Sequence, residues 1–113
     1  VIAHIVLFEP KPDLSDADRR ELDEGLRAAT REIPGIRRLR VGPRVTHGLP
    51  GYEQMMRDAY SFAAVIEFAS IDDLRAYLVH PLHERLGRHF IASSVRALAY
   101  DYCLADAGDA LQP

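Results

Sequence analysis

Tyr60-Ser61-Phe62-Ala63-Ala64-Val65-Ile66-Glu67-Phe68 decides how this chain folds. Its even positions are all apolar, and its odd positions include Ala63 and Val65 beside Ser61 and Glu67. A strand with apolar residues on both faces belongs inside a sheet, not at its edge. Ile2-Ala3-His4-Ile5-Val6-Leu7-Phe8 reads the same way, with Ile2, His4, Val6 and Phe8 on one face and Ala3, Ile5 and Leu7 on the other. Pro10 and Pro12 end that strand. Two further strands differ in kind. Ile36 to Val45 carries Arg37, Arg38, Arg40 and Arg44, and Val95 to Tyr102 carries Arg96 and Asp101. Charge inside a strand is how natural sheets protect an edge.

Helices fill the intervals. Ser15, with Asp18 three residues on, forms a short capping box, and Leu22, Leu26, Ala29 and Ile33 then recur at helical spacing until Pro34-Gly35 stops them. Residues 46–58, with Gly48, Pro50 and Gly51, read as a mobile loop with one helical turn near Met55. Ser70 with Asp73 caps a second helix whose stripe is Ile71, Leu74, Tyr77 and Leu78. Pro81 breaks it, since the residue before a proline avoids helical dihedrals. A third helix restarts with Pro81 at its first position, where a missing N–H costs nothing. Leu82, Leu86 and Phe90 give that helix its apolar face.

The resulting order, β-α-β-β-α-β, is the split βαβ or ferredoxin-like plan of an α+β protein, with strands one and three central. A four-stranded antiparallel sheet covered by helices on one side leaves Ala3, Ile5, Leu7, Ala63 and Val65 on a bare apolar face. A two-fold dimer packing sheet on sheet covers it, so a homodimer is expected. The 113 residues make one domain over 1–104, followed by a short tail, 105–113, that frays.

Composition excludes several classes of function. A net charge of −3 argues against a nucleic-acid partner, and the arginine cluster lacks the Gly-rich loop or interleaved aromatics of a phosphate site. No apolar run approaches the roughly 20 residues of a membrane helix. Val1 to Phe8 has neither a basic n-region nor a cleavage site, and Cys103 is the single cysteine, so a cytoplasmic location is the default expectation.

Chemistry concentrates in Tyr77-Leu78-Val79-His80-Pro81-Leu82-His83. Two imidazoles and a phenol handle protons near neutral pH, and here they flank a backbone break. The structural reading stands beside the chemical one: His80 caps the third helix, Tyr77 is an amphipathic core residue, and His83 lies on a solvated face. His80 is assigned to that structural role. The positive end of the third helix lowers the pKa of His83, favouring the neutral imidazole a base requires. His4, beneath the helices, needs a hydrogen-bond partner and either is a satisfied structural residue or faces His83 in a pocket. His89 reads as peripheral, and His47 lies in the loop. The spacing of His80 and His83 occurs in zinc sites, but three or four ligands are usual, and no metal is expected. Serine-nucleophile, P-loop, dinucleotide and haem signatures are absent, so no cofactor is expected either.

The opening His4-Ile5-Val6-Leu7-Phe8, the Ile33-Pro34-Gly35-Ile36 turn, the Val65-Ile66-Glu67-Phe68 strand, the His-Pro-x-His core of 77–83 and the closing Tyr100-Asp101-Tyr102 together resemble the stress-responsive dimeric α/β-barrel family over about residues 2–102. The resemblance implies a ferredoxin-like protomer whose dimer encloses a barrel between two sheets. One branch is similar to plant polyketide cyclases of the olivetolic acid type, which perform aldol cyclisation of a linear poly-β-ketone. Carried over residue by residue, it implies Tyr77 and His83 as catalytic, with His4 lining the same pocket. The neighbouring Val6, Phe8, Phe62, Ile66, Leu78 and Leu86 complete the expected substrate-binding set. Two departures stand out, a long segment at 46–57 and small residues at Ala97 and Ala99. The expected activity is a cofactor-independent cyclase or lyase on a small polyketide-like or aromatic substrate. The alternative is a non-catalytic stress-responsive or ligand-binding dimer, with a cofactor-free monooxygenase as a third reading.

Overall fold

The computed structural model describes residues 1–109 and 111, so residues 110, 112 and 113 of the expected tail lie outside the described residues. The elements are β1 (Ile2–Pro10), α1 (Asp16–Glu32), β2 (Ile36–Pro43), a single 3-10 turn (Glu53–Met55), β3 (Phe62–Phe68), α2 (Ile71–Leu78), α3 (Pro81–Ser93) and β4 (Ser94–Cys103). The four strands form one antiparallel sheet in the order β2-β3-β1-β4. The two strands that are apolar on both faces are central, and the two carrying charge are the edges.

Local chemistry sets the boundaries. Ser15 Oγ accepts the Asp18 N–H at 3.1 Å and Asp18 Oδ2 accepts the Ser15 N–H, a reciprocal capping box for α1. Ser70 Oγ accepts the Asp73 N–H at the start of α2. Gly35 turns the chain at φ 91°, and a Cβ there would lie 3.0 Å from Asp73, so this glycine answers both a left-handed turn and a close approach to α2. At the break, His80 Nδ1 accepts the Leu82 N–H at 3.1 Å and caps α3, with Pro81 opening it.

Ile2, Phe8, Ala29, Ile33, Ala64, Ile66, Phe68, Leu74, Tyr77 and Leu86 form the core between sheet and helices. Three expectations need correction. Ile71 is half exposed and does not belong to the buried stripe of α2, because it is the first residue of the helix and precedes the turn that meets the sheet. Ala3 is fully buried, not bare: its methyl sits in register between the larger Tyr102 and Glu67 of the flanking strands. β2 stops at Pro43, not Val45, and β3 starts at Phe62, not Tyr60, although the Arg44 N–H still reaches the Ser61 carbonyl.

The molecule is a slab of 37 × 36 × 17 Å, one sheet and one helix layer thick. Leu7, Leu98, Tyr100 and Tyr102 stay 36–57 % exposed on the uncovered side. Among the described residues, no helix is long and apolar enough to cross a membrane.

Candidate functional site

β1 carries His4 into the layer beneath α2 and α3, where it is 6 % exposed. The β1–β4 register sets His4 opposite Asp101, and on the other side opposite Ile66 of β3. Cross-strand neighbours share a face. The His4 Nδ1–H accordingly donates to Asp101 Oδ1 at 2.6 Å, a short charge-assisted bond. Tyr77 comes from the last turn of α2 and is 3 % exposed. His83, from the first turn of α3, donates its Nδ1–H to the Leu78 carbonyl at 3.0 Å, since a carbonyl can only accept.

These elements bring three rings together. The Tyr77 and His83 centroids are 4.4 Å apart, with His4 5.6 Å from Tyr77 and 6.4 Å from His83. Phe68 backs Tyr77 at 5.2 Å. Each imidazole is held through Nδ1, one by a carboxylate and one by a carbonyl, so each leaves a lone pair on Nε2 when neutral. Among the described residues, neither Nε2 nor the Tyr77 hydroxyl has a hydrogen-bond partner. The site thus offers two acceptors and one donor to a ligand.

Burial shifts Tyr77 and His83. Desolvation lowers the pKa of His83, as does nearby His4, while the Leu78 carbonyl and Glu84 oppose the shift. Burial, more than the helix-end field expected from sequence, is the leading cause. Tyr77 is pushed up to about 12, first by desolvation and then by the Asp101 charge. A phenol held that high is a hydrogen-bond donor, not a base, throughout the physiological range.

The remaining expected lining residues divide. Ile66 lies opposite His4 across the β1–β3 pair, and the Leu78 carbonyl holds His83. Val6 packs against the core. Phe8 is four residues along β1 from His4, about 13 Å at ~3.3 Å per residue. There it stacks on Phe62 at 5.5 Å and meets Phe90 edge-on at 4.9 Å. Leu86 is a core residue whose edge reaches the α1–α3 furrow.

Two hollows in the surface lie elsewhere. One, of about 560 Å³, runs between α1 and α3, and one of about 450 Å³ lies under the 44–58 loop beside Leu7, Tyr60 and Phe62. Neither is lined by His4, Tyr77, His83 or Asp101. Void volume alone does not locate chemistry, and the convergence of unpartnered proton-handling atoms does.

Asp101 is the residue that sequence reasoning missed. The available signal was that β4 holds a single acidic residue and that a buried histidine on the neighbouring strand required a partner. His47 in the loop lies 3.5 Å from Glu53 and 5.5 Å from Tyr52. No group of three or more His, Cys, Asp or Glu side chains is arranged to hold a metal among the described residues.

Comparison with known proteins agrees with this architecture. The Arabidopsis thaliana protein At3g17210 superposes with a TM-score of 0.78 over 96 % of this chain and 99 % of its own, at 21 % identity. A dimeric ferredoxin-like protein of unknown function from Jannaschia sp. CCS1 gives 0.73 over 91 % and 98 %, at 27 % identity. A hydroxynitrile lyase from Passiflora edulis gives 0.79 over 94 % of each chain, at 14 % identity. Among curated proteins, none matches. The family model for the stress-responsive A/B barrel domain matches residues 2–104, nearly the full length, and the chain belongs to that family.

Proposed function

We propose that this protein is a cofactor-independent enzyme that makes or breaks a carbon–carbon bond by proton transfer next to a carbonyl. The supporting observation is the convergence of Tyr77, His83 and His4 with both imidazole tautomers fixed and the outward-facing atoms free. In the aldol direction, neutral His83 Nε2 takes a proton from the carbon α to a ketone. The enolate oxygen accepts a hydrogen bond from the Tyr77 hydroxyl. The α-carbon then bonds to a second carbonyl carbon of the same molecule, and the new alkoxide recovers the proton from the His83 imidazolium. Nothing is oxidised or reduced. His4, braced by Asp101, positions the substrate by accepting a hydrogen bond from one of its hydroxyl groups at Nε2. The aromatic and aliphatic surroundings suit a small polyketide-like or aromatic substrate, as in plant cyclases of the olivetolic acid type.

Proton abstraction alone can be tested without the natural substrate. α-Hydrogen exchange of 4-phenyl-2-butanone in D2O, followed by NMR, is expected to exceed buffer at matched pH. It should fall about 100-fold or more in His83→Ala, the usual scale for a general base. Exchange no faster than buffer, or unaltered by His83→Ala, would sink the proposal.

A second reading, a non-catalytic ligand-binding barrel, draws on the tight closure of the cluster, with Tyr77 and His4 both below a tenth exposed. In that case ligand binding accompanies exchange at the buffer rate.

The working unit in either reading is a homodimer formed through the uncovered sheet face, where Leu7, Leu98, Tyr100 and Tyr102 are exposed. Sedimentation equilibrium should give twice the 12.7 kDa chain mass, and Leu98→Asp should return it to one chain mass. A wild-type protein sedimenting as a monomer would contradict the dimer.

A further inference from the structure

The furrow between α1 and α3 lies outside the site above. We propose that it binds an apolar carboxylate, a small acid with a hydrocarbon or aryl body. Its floor is Gly25 and Ala28 of α1 with Leu82 and Leu86 of α3, and its volume of about 560 Å³ suits a small ligand. Small residues create the furrow. A Cβ on Gly25 would approach Leu86 Cδ1 to 3.0 Å, so the glycine lets the leucine reach across beneath the opening.

The two walls carry opposite charge. Glu21 and Glu24 stand on α1, and Arg85, Arg88 and His89 on α3. Glu24 is engaged by Arg31 at 3.3 Å. Among the described residues, neither Arg85 nor Arg88 has a carboxylate within ion-pair distance. His89 also lines the furrow, but its Nε2 is shut off from solvent, so the arginines are the cationic groups a ligand in the furrow meets. Glu21 stops 3.6 Å from that nitrogen, beyond hydrogen-bond reach. Two free guanidiniums above an apolar floor select an anion with an apolar body, seated toward the α3 wall away from Glu21.

Calorimetric titration of the full chain with 4-phenylbutyrate and with 4-phenyl-1-butanol separates charge from bulk. The acid is expected to bind about tenfold tighter than the alcohol, the scale of a charge-assisted contact. Arg85→Gln with Arg88→Gln should abolish that preference, while Glu21→Gln should raise affinity about twofold by removing a repulsive charge. Ala28→Phe, which fills the furrow, should block both ligands and covers the case of a poorly folded double variant. Equal affinities for acid and alcohol, or a preference that survives the double variant, overturns the site. So does binding lost in His83→Ala but not in Ala28→Phe. A fall in sedimented mass in the double variant also overturns it, by assigning the furrow to a second copy of the chain.

Discussion

Two ends of one face of β1 meet opposite fates. At the Phe8 end, Phe62 and Phe90 close on Phe8 at 5.5 and 4.9 Å, and the three rings contain no atom that needs a partner. At the His4 end, four residues away, equally close rings retain a phenol and two imidazole nitrogens without protein partners. The same strand, the same face and similar burial thus yield closed packing at one end and unspent hydrogen-bonding groups at the other. Burial alone does not make a core. What distinguishes the ends is whether the hydrogen-bonding capacity brought inside is spent within the fold, and at the His4 end it is only half spent.

Changes at Phe8, at Asp101 and in pH test this contrast. Phe8→Ala should cost about 3–5 kcal/mol of stability, the usual loss for a buried aromatic, measured by urea denaturation. Its α-exchange activity per folded molecule should persist, and a specific loss of activity would join the two ends into one site. Asp101→Ala should cost about 1–3 kcal/mol, because the buried His4 Nδ1–H loses its acceptor. Asp101→Asn, which retains an acceptor oxygen, should recover most of that. Equal losses in both variants would mean that shape, not the hydrogen bond, matters there.

The smallest effect is on pH dependence. A lowered His83 pKa contributes stability present above the ordinary histidine value of 6.5 and lost as pH falls through the folded-state value. A raised Tyr77 pKa contributes stability present below the ordinary value of 10.0 and lost as pH rises towards about 12. Between 6.5 and 10.0 these two groups leave stability flat. The acid-side slope should shrink in His83→Ala and the alkaline slope in Tyr77→Phe, whereas Phe8→Ala should lower the whole curve without reshaping it. Slopes unchanged in both site variants would show that neither group titrates differently on folding.

The fold was legible because its signals are local. Ser15 with Asp18, Ser70 with Asp73, and Pro81 each act within four residues, and the arginines of β2 mark an edge without reference to any partner. Tyr77 and His83 were legible for the same reason, being joined by a short break capped by His80. Asp101 was not, because its contact with His4 depends on the register of strands 97 residues apart, which no local pattern specifies. Phe8 and Phe62 looked like pocket lining because aromatic residues on the His4 face suit either role. What the sequence does not show is their mutual stacking and the edge-on contact of Phe90 with Phe8.

The His4–Asp101 bond carries a consequence for how the protein is made. Tyr77 and His83 become neighbours as soon as α2 and α3 form, since few residues separate them. The bond to Asp101 closes a loop between residues 97 positions apart, whose entropy is recovered only when β4 docks on β1. A nascent chain that has not yet extended past Asp101 therefore holds the phenol and one imidazole in place but leaves His4 without its brace. The complete arrangement arrives with β4, so a chain made only as far as α3 lacks the second oriented histidine, which is gained in the step that completes the sheet.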